Sequence, residues 1–307
     1  MISNARSAVR PAALGLAALL SVSCSLTSVA AKAVGSGGGS GALGVFMREN
    51  DPEIVEDALP TLIKALEALL ASDPDDRELS LTVGAAYIMY ANAFIEGPAI
   101  LMGDERYEEK ALAKKRALNF YKRGANFVGS AIERSWRGAT TDAAKAEAAA
   151  RSMKRAWVPY LYWYSAGTAA AFALDPMDIP LSMRVPAAKA LMERALELEP
   201  SFMKCAIPDF FISFHAGVPE VLGGEKSRVD EFYRLSLKLS GEKSAGTFIS
   251  YAMATAVPAQ DSASFRALME RALAINPDDD PDTRLMTVLS QRTASHYLAH
   301  MDDFFLE

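Results

Sequence analysis

Leu191-Met192-Glu193-Arg194-Ala195-Leu196-Glu197-Leu198-Glu199-Pro200 returns as Leu268-Met269-Glu270-Arg271-Ala272-Leu273-Ala274-Ile275-Asn276-Pro277, and the first six residues are identical. Between the two copies, Phe232-Tyr233-Arg234-Leu235-Ser236-Leu237-Lys238-Leu239-Ser240-Gly241 keeps the same apolar spacing. A weaker copy, Leu66-Glu67-Ala68-Leu69-Leu70-Ala71-Ser72-Asp73-Pro74, lies upstream. Apolar residues at helical spacing that end on Pro or Gly are the closing turns of amphipathic helices. Recurrence of that closing turn means that one supersecondary unit is used several times.

The unit ends fall at Pro200, Gly241 and Pro277, separated by 41 and 36 residues. A helix ending in Ala-Leu-x-x-x-Pro closes a tetratricopeptide unit, whose period is about 34 residues. The spacing here is longer and uneven, so the repeats are degenerate. The expected fold is all-α, a degenerate tetratricopeptide-like superhelix of helix pairs over residues 45–307. Strand signals are nearly absent: no long alternating run and no Asn-Gly or Asp-Gly hairpin turn occurs. Asp51-Pro52-Glu53 supplies a cap, a first-turn proline and an early acid, which together start a helix. One helix pair cannot bury its apolar face alone. Stacked neighbours create a continuous core and a curved inner surface.

Three predicted helical stretches carry no charge at all. Leu79–Ile95 has 17 such residues, Ala156–Leu174 has 19, and Ser244–Gln260 has 17. A helix on a solvated surface shows charge on its outer face, so these must hide most of their circumference. Three arrangements do so: a membrane span, burial on both sides in a repeat core or oligomer interface, or one side in the core and the other lining an apolar cavity. Ala156–Leu174 is barely long enough to span and contains Pro159, Tyr160, Tyr162 and Tyr164. The last two arrangements are compatible with each other. A cavity walled by Tyr, Trp and Phe suits a small hydrophobic or amphipathic solute. Candidate ligand-binding residues are Tyr160, Trp163, Tyr164, Phe211, Phe214 and His215. Gly84 and Gly167 would allow close helix approach in either arrangement.

The amino terminus reads as an address. Residues 1–10 hold Arg6 and Arg10 and no acid, and Ala12–Val22 is an apolar stretch of signal-peptide length. Leu20-Ser21-Val22-Ser23-Cys24 resembles a lipoprotein processing site, with Leu20 one position further from the cysteine than usual. Residues 1–23 are therefore expected to be a signal peptide, and Cys24 an acylated first mature residue that anchors the chain to a bacterial membrane on its periplasmic side. Residues 24–44, with Gly35-Ser36-Gly37-Gly38-Gly39-Ser40-Gly41, read as a flexible tether. Removal of residues 1–23 takes the formal charge from −6 to −8. An acidic body without a basic run is a poor nucleic-acid ligand.

Little points to catalysis. His296 and His300 share a helix face, but the glutamate and third ligand of a zinc site are missing. A structural pair is expected, and no metal or cofactor. His215 sits in Phe210-Phe211-Ile212-Ser213-Phe214-His215, either as a satisfied, partly buried imidazole or as a polar contact to ligand. Cys205, among Phe202, Met203 and Ile207, reads as a small buried apolar residue. Gly224-Glu225-Lys226-Ser227 and Gly241-Glu242-Lys243-Ser244 have a glutamate where a nucleotide loop needs Gly-Lys, so they read as turns. No serine-hydrolase elbow, Cys-x-x-Cys pair or dinucleotide fingerprint occurs. No enzyme is expected.

With these segments assembled, residues 45–307 resemble the T-component family of tripartite ATP-independent periplasmic (TRAP) transporters, which are tetratricopeptide-like lipoproteins. The marks are Leu161-Tyr162-Trp163-Tyr164-Ser165-Ala166-Gly167, Ala206-Ile207-Pro208-Asp209-Phe210-Phe211-Ile212-Ser213 and Leu222-Gly223-Gly224. Gln260-Asp261 with Phe265, Arg284-Leu285 and Gln291-Arg292-Thr293-Ala294 follow near the end. The resemblance implies a partner of the periplasmic solute-binding-protein type, a membrane permease pair, an apolar pore and self-association, possibly into a trimer. It brings no catalytic residues. A ligand-free scaffold for envelope protein assembly is the alternative.

Overall fold

The structure is a computed structural model that describes residues 42–306. The expected signal peptide, Cys24 and the glycine-rich run up to residue 41 lie outside the described residues. Every regular element among the described residues is helical. The longer ones are α1 (Ala42–Met47), α2 (Pro52–Ser72), α3 (Arg77–Ala91), α4 (Tyr107–Ser135), α5 (Ala143–Ala150) and α6 (Val158–Leu174). They continue with α7 (Val185–Leu198), α8 (Ala206–Gly217), α9 (Val229–Ser240), α10 (Ala245–Tyr251), α11 (Ser262–Leu273) and α12 (Arg284–Ala299). Helix α1 begins inside the stretch expected to be tether.

Short polar side chains start the helices. The Asp51 carboxylate accepts from the backbone N–H groups of Glu53 and Ile54, and Asp76 from that of Leu79 at 2.9 Å. Asp261 does the same for Ser264 at 2.9 Å, and Ser244 caps α10. Gly241, at φ 60° and ψ 34°, ends α9 in the left-handed region. Helices α3 and α10 each run on into a π-helical turn, Asn92–Glu96 and Ala252–Ala256.

Helices pair as α3/α4, α6/α7, α8/α9 and α10/α11, and α12 packs on the last pair. The repeated closing turns belong to the second helix of three pairs. At matching positions they bury Ala195, Ser236 and Ala272 completely, because a small residue there lets the first helix approach. The first pair is tightest. A Cβ on Gly84 would lie 2.6 Å from the Gly124 carbonyl oxygen, and one on Gly124 would lie 2.7 Å from that of Gly84. Gly167 in α6 would meet Ile88 in the same way.

The array closes on itself. Helix α12 lies against α1 and α2, and one apolar cluster runs from Met47, Val55 and Leu59 to Leu285. Arg292 grips Glu53 with two bonds of 2.6 and 3.1 Å. Arg48 pairs with Asp282 at 2.7 Å, while the Arg284 guanidinium donates to the Arg48 carbonyl at 3.0 Å.

Candidate functional site

Within this closed array lies a cavity of about 1850 Å³. Its helical wall comes mainly from the first helix of each pair and from α12, with the linking segments at the two ends; α7 and α11 contribute nothing. On α6 the bordering residues centre on Pro159, Tyr162, Trp163, Ala166, Ala170 and Ala173, a stripe at the three-to-four-residue period of one helix face, and also include Tyr160, Ala169 and Phe172. The opposite stripe, Val158, Leu161, Tyr164, Ser165 and Thr168, is buried against neighbouring helices. On α12 the cavity-bordering residues include Met286, Thr287, Ser290, Thr293 and Tyr297, and on α8 they include Ala206, Asp209, Phe210, Ser213, Phe214 and Gly217. Each of these helices thus has two hidden flanks, one solid and one facing a hollow.

The two ends of the hollow differ. Where the chain enters the inner helices the wall is charged, and ion pairs knit it together: Arg155–Glu199 at 2.6 Å, Lys204–Asp280 at 3.3 Å and Lys243–Asp279 at 3.4 Å. Where the chain leaves them, the bordering residues are apolar, among them Ile100, Leu101, Pro176, Val218 and Pro219. Glu96, at the end of the α3 π-turn, is the exception.

The sequence profile of the TRAP transporter T-component family matches residues 48–305. The chain belongs to that family. An uncharacterized protein of Treponema pallidum (strain Nichols) is 35% identical over 268 residues, which cover 86% of this chain and 83% of that protein. The T-component is thus an accessory part of a TRAP transporter and goes with the bacterial envelope. None of its described helices, the one within Ala156–Leu174 included, is long and apolar enough to cross a membrane.

The six aromatic and imidazole candidates separate cleanly in this T-component. Tyr160, Trp163 and Phe214 border the cavity. Trp163 meets Tyr162 edge-on at 5.2 Å, and Phe214 stacks on Phe210 at 5.4 Å. Tyr160 packs on Trp157, and burial beside Glu78 pushes its hydroxyl up to about 12. Tyr164, Phe211 and His215 do not reach the hollow. Each sits on the core-facing flank of its helix, about 100° from its cavity-facing neighbour. Tyr164 donates to the Thr140 carbonyl. His215 packs beside the stacked pair Phe211 and Phe232, whose rings are 4.6 Å apart, and is nearly parallel to both at 5.5 and 5.3 Å. Neither of its ring nitrogens has a hydrogen-bond partner among the described residues. It is fully buried but unsatisfied, against the expectation of a partnered imidazole. Burial, with Arg228 and Lys189 nearby, pulls it down to about 4.

Residues missed by sequence reasoning include Tyr162, Phe210 and Met286, all on cavity stripes. Among the carboxyl groups that border the hollow, Glu96 and Asp209 are the ones drawn furthest into the protein. Asp209 Oδ1 accepts from Ser236 at 2.5 Å and Thr247 at 2.7 Å, and Oδ2 from Ser244 at 3.3 Å and the Cys205 thiol at 3.4 Å. Burial still holds the Asp209 carboxyl above the usual range, against the pull of these donors. Burial beside Asp209 pushes the Cys205 thiol up to about 11. That cluster joins α8, α9 and α10 and leaves no carboxylate lone pair short of a donor, so it acts as a clamp between repeats. His296 and His300 stack at 4.1 Å, with no third His, Cys, Asp or Glu placed to share a metal ion with them among the described residues.

Proposed function

We propose that this T-component is a lipid-tethered periplasmic subunit that holds a small hydrophobic or amphipathic solute in its central cavity and exchanges it with a periplasmic solute-binding protein. The observation that carries this is the double-flanked inner helix. Water-soluble proteins do not keep long uncharged helices around a hollow of this size unless the hollow is useful, because filling it with side chains would add stability. A volume of about 1850 Å³ exceeds the usual range of about 300–1,000 Å³ for small-molecule sites, enough for a long-chain amphiphile. The anchor would be the acyl group on Cys24, and self-association, possibly as a trimer, goes with the family resemblance.

Native mass spectrometry of protein purified from its own host tests the solute. A co-purified small molecule is expected, and Ala166→Leu, which adds bulk on the cavity stripe of α6, should lower its occupancy. That substitution should change stability by no more than about 0.5 kcal/mol, as for a residue outside the solid core. An apo mass in every preparation counts against a solute role. Pull-down from membranes tests the partner: a solute-binding protein is expected, and recovery of envelope assembly factors alone would favour a scaffold.

A further inference from the structure

Taking the cavity as the solute site, we infer that it selects amphiphiles with a cationic head, an alkylammonium rather than an alkyl carboxylate, and that Glu96 is the counter-ion. Charge pairing around the wall carries the inference. Five cationic side chains border the cavity: Arg48, Arg155, Lys204, Lys243 and Arg292. Each is held by an acid: Asp282 at 2.7 Å, Glu199 at 2.6 Å, Asp280 at 3.3 Å, Asp279 at 3.4 Å and Glu53 at 2.6 Å respectively. No bordering cation is left to receive an anionic head.

Carboxylates are left over instead. Glu56, Glu78 and Glu96 border the cavity, and none forms an ion pair among the described residues. Glu56 and Glu78 are exposed at the polar end, where water screens them. Glu96 is half-buried at the apolar end. Its Oε2 accepts one hydrogen bond, from the Tyr121 hydroxyl at 2.5 Å, and its Oε1 has none from the described residues. Lys114 is near enough to favour the charged form, but burial outweighs it and holds this carboxyl above its usual range. The group thus has no cation within ion-pair distance among the described residues, a contact that a carboxylate drawn out of water favours. An ammonium head would supply it. Ile88, Phe94, Phe172 and Phe214 are left for the alkyl chain.

Calorimetric titration of the full chain with decylammonium, decanoate and decanol, each below its micelle threshold and near neutral pH, tests this. Decylammonium is expected to bind at least about tenfold more tightly than decanoate. In Glu96→Gln, which keeps an acceptor for Tyr121, that preference should shrink to about threefold or less while decanol affinity stays the same. Equal or tighter binding of decanoate overturns the inference, as does a preference that survives Glu96→Gln. Decanol binding without any charge preference overturns the role of Glu96 but leaves the cavity as a solute site. Binding of none of the three removes the solute site, and the inference with it.

Discussion

The outer and inner helices solve different packing problems. Helix α7 has one apolar face and shows solvent Lys189–Glu193 and Arg194–Glu197 pairs. Helix α6, which packs on it, carries no charge over its whole length. An outer helix has one neighbourhood to satisfy and satisfies it the same way each time, so Ala195, Ser236 and Ala272 recur at one position. An inner helix must meet its outer partner on one flank and the hollow on the other. The repeat is therefore visible in the outer helices and nearly erased in the inner ones. Internal sequence similarity in such an array reports shared packing, and its loss marks the helices that border the hollow.

The contrast between solid and hollow flanks breaks most sharply at Leu161, which is fully buried on the solid flank of α6. Leu161→Ala should cost about 2–5 kcal/mol by leaving a void, seen as a lower urea midpoint. A loss as small as that expected for Ala166→Leu would erase the distinction between the flanks. Next in size is Gly84→Val at the α3–α4 crossing. With the Gly124 carbonyl oxygen 2.6 Å from the new Cβ, the helices must separate, at about 1–3 kcal/mol. An unchanged midpoint would show that the inner and outer helices are not in the contact described.

His215 sharpens the comparison through pH. Its folded value of about 4 lies below the ordinary 6.5, so unfolding takes up a proton in that interval. Stability should fall as pH drops from 6.5 towards 4. His215→Phe should remove this component of the slope while shifting the neutral-pH midpoint by less than about 1.5 kcal/mol. An identical slope in variant and parent would mean that the imidazole is not sealed in the core. The smallest effect is expected at the ring closure. Arg292 holds the exposed Glu53 down to about 2 from an ordinary 4.5. Its contribution is complete above 4.5 and is lost as pH falls towards 2. The gap in unfolding midpoint between the parent and Glu53→Gln should therefore narrow over that interval, and a gap independent of pH would contradict the pairing.

Much of this molecule was legible in its residues. The Ala-Leu repeat gives the helix pairs, and the charge-free stretches point to helices hidden on both sides. Three of the six candidate residues, Tyr160, Trp163 and Phe214, do reach the hollow. Tyr164 misses while Trp163 reaches it because neighbours along a helix point about 100° apart, and only the seating of α4 and α7 decides which flank is solid. Apolar character alone does not distinguish the two. Glu96 had a signal of its own, as the first charge after 17 uncharged residues. The closure had none: Arg292 and Glu53 are 239 positions apart, and no local pattern pairs them.

Because the final helix seats against the first, this architecture cannot lengthen as a linear solenoid does, one module at a time. Insertion or deletion of a pair would pull Arg292 away from Glu53 and expose the apolar seam from Val55 to Leu285. Lineages that keep the clasp are thus confined to a fixed module count, and can reshape the lumen only by exchanging its side chains rather than by changing girth.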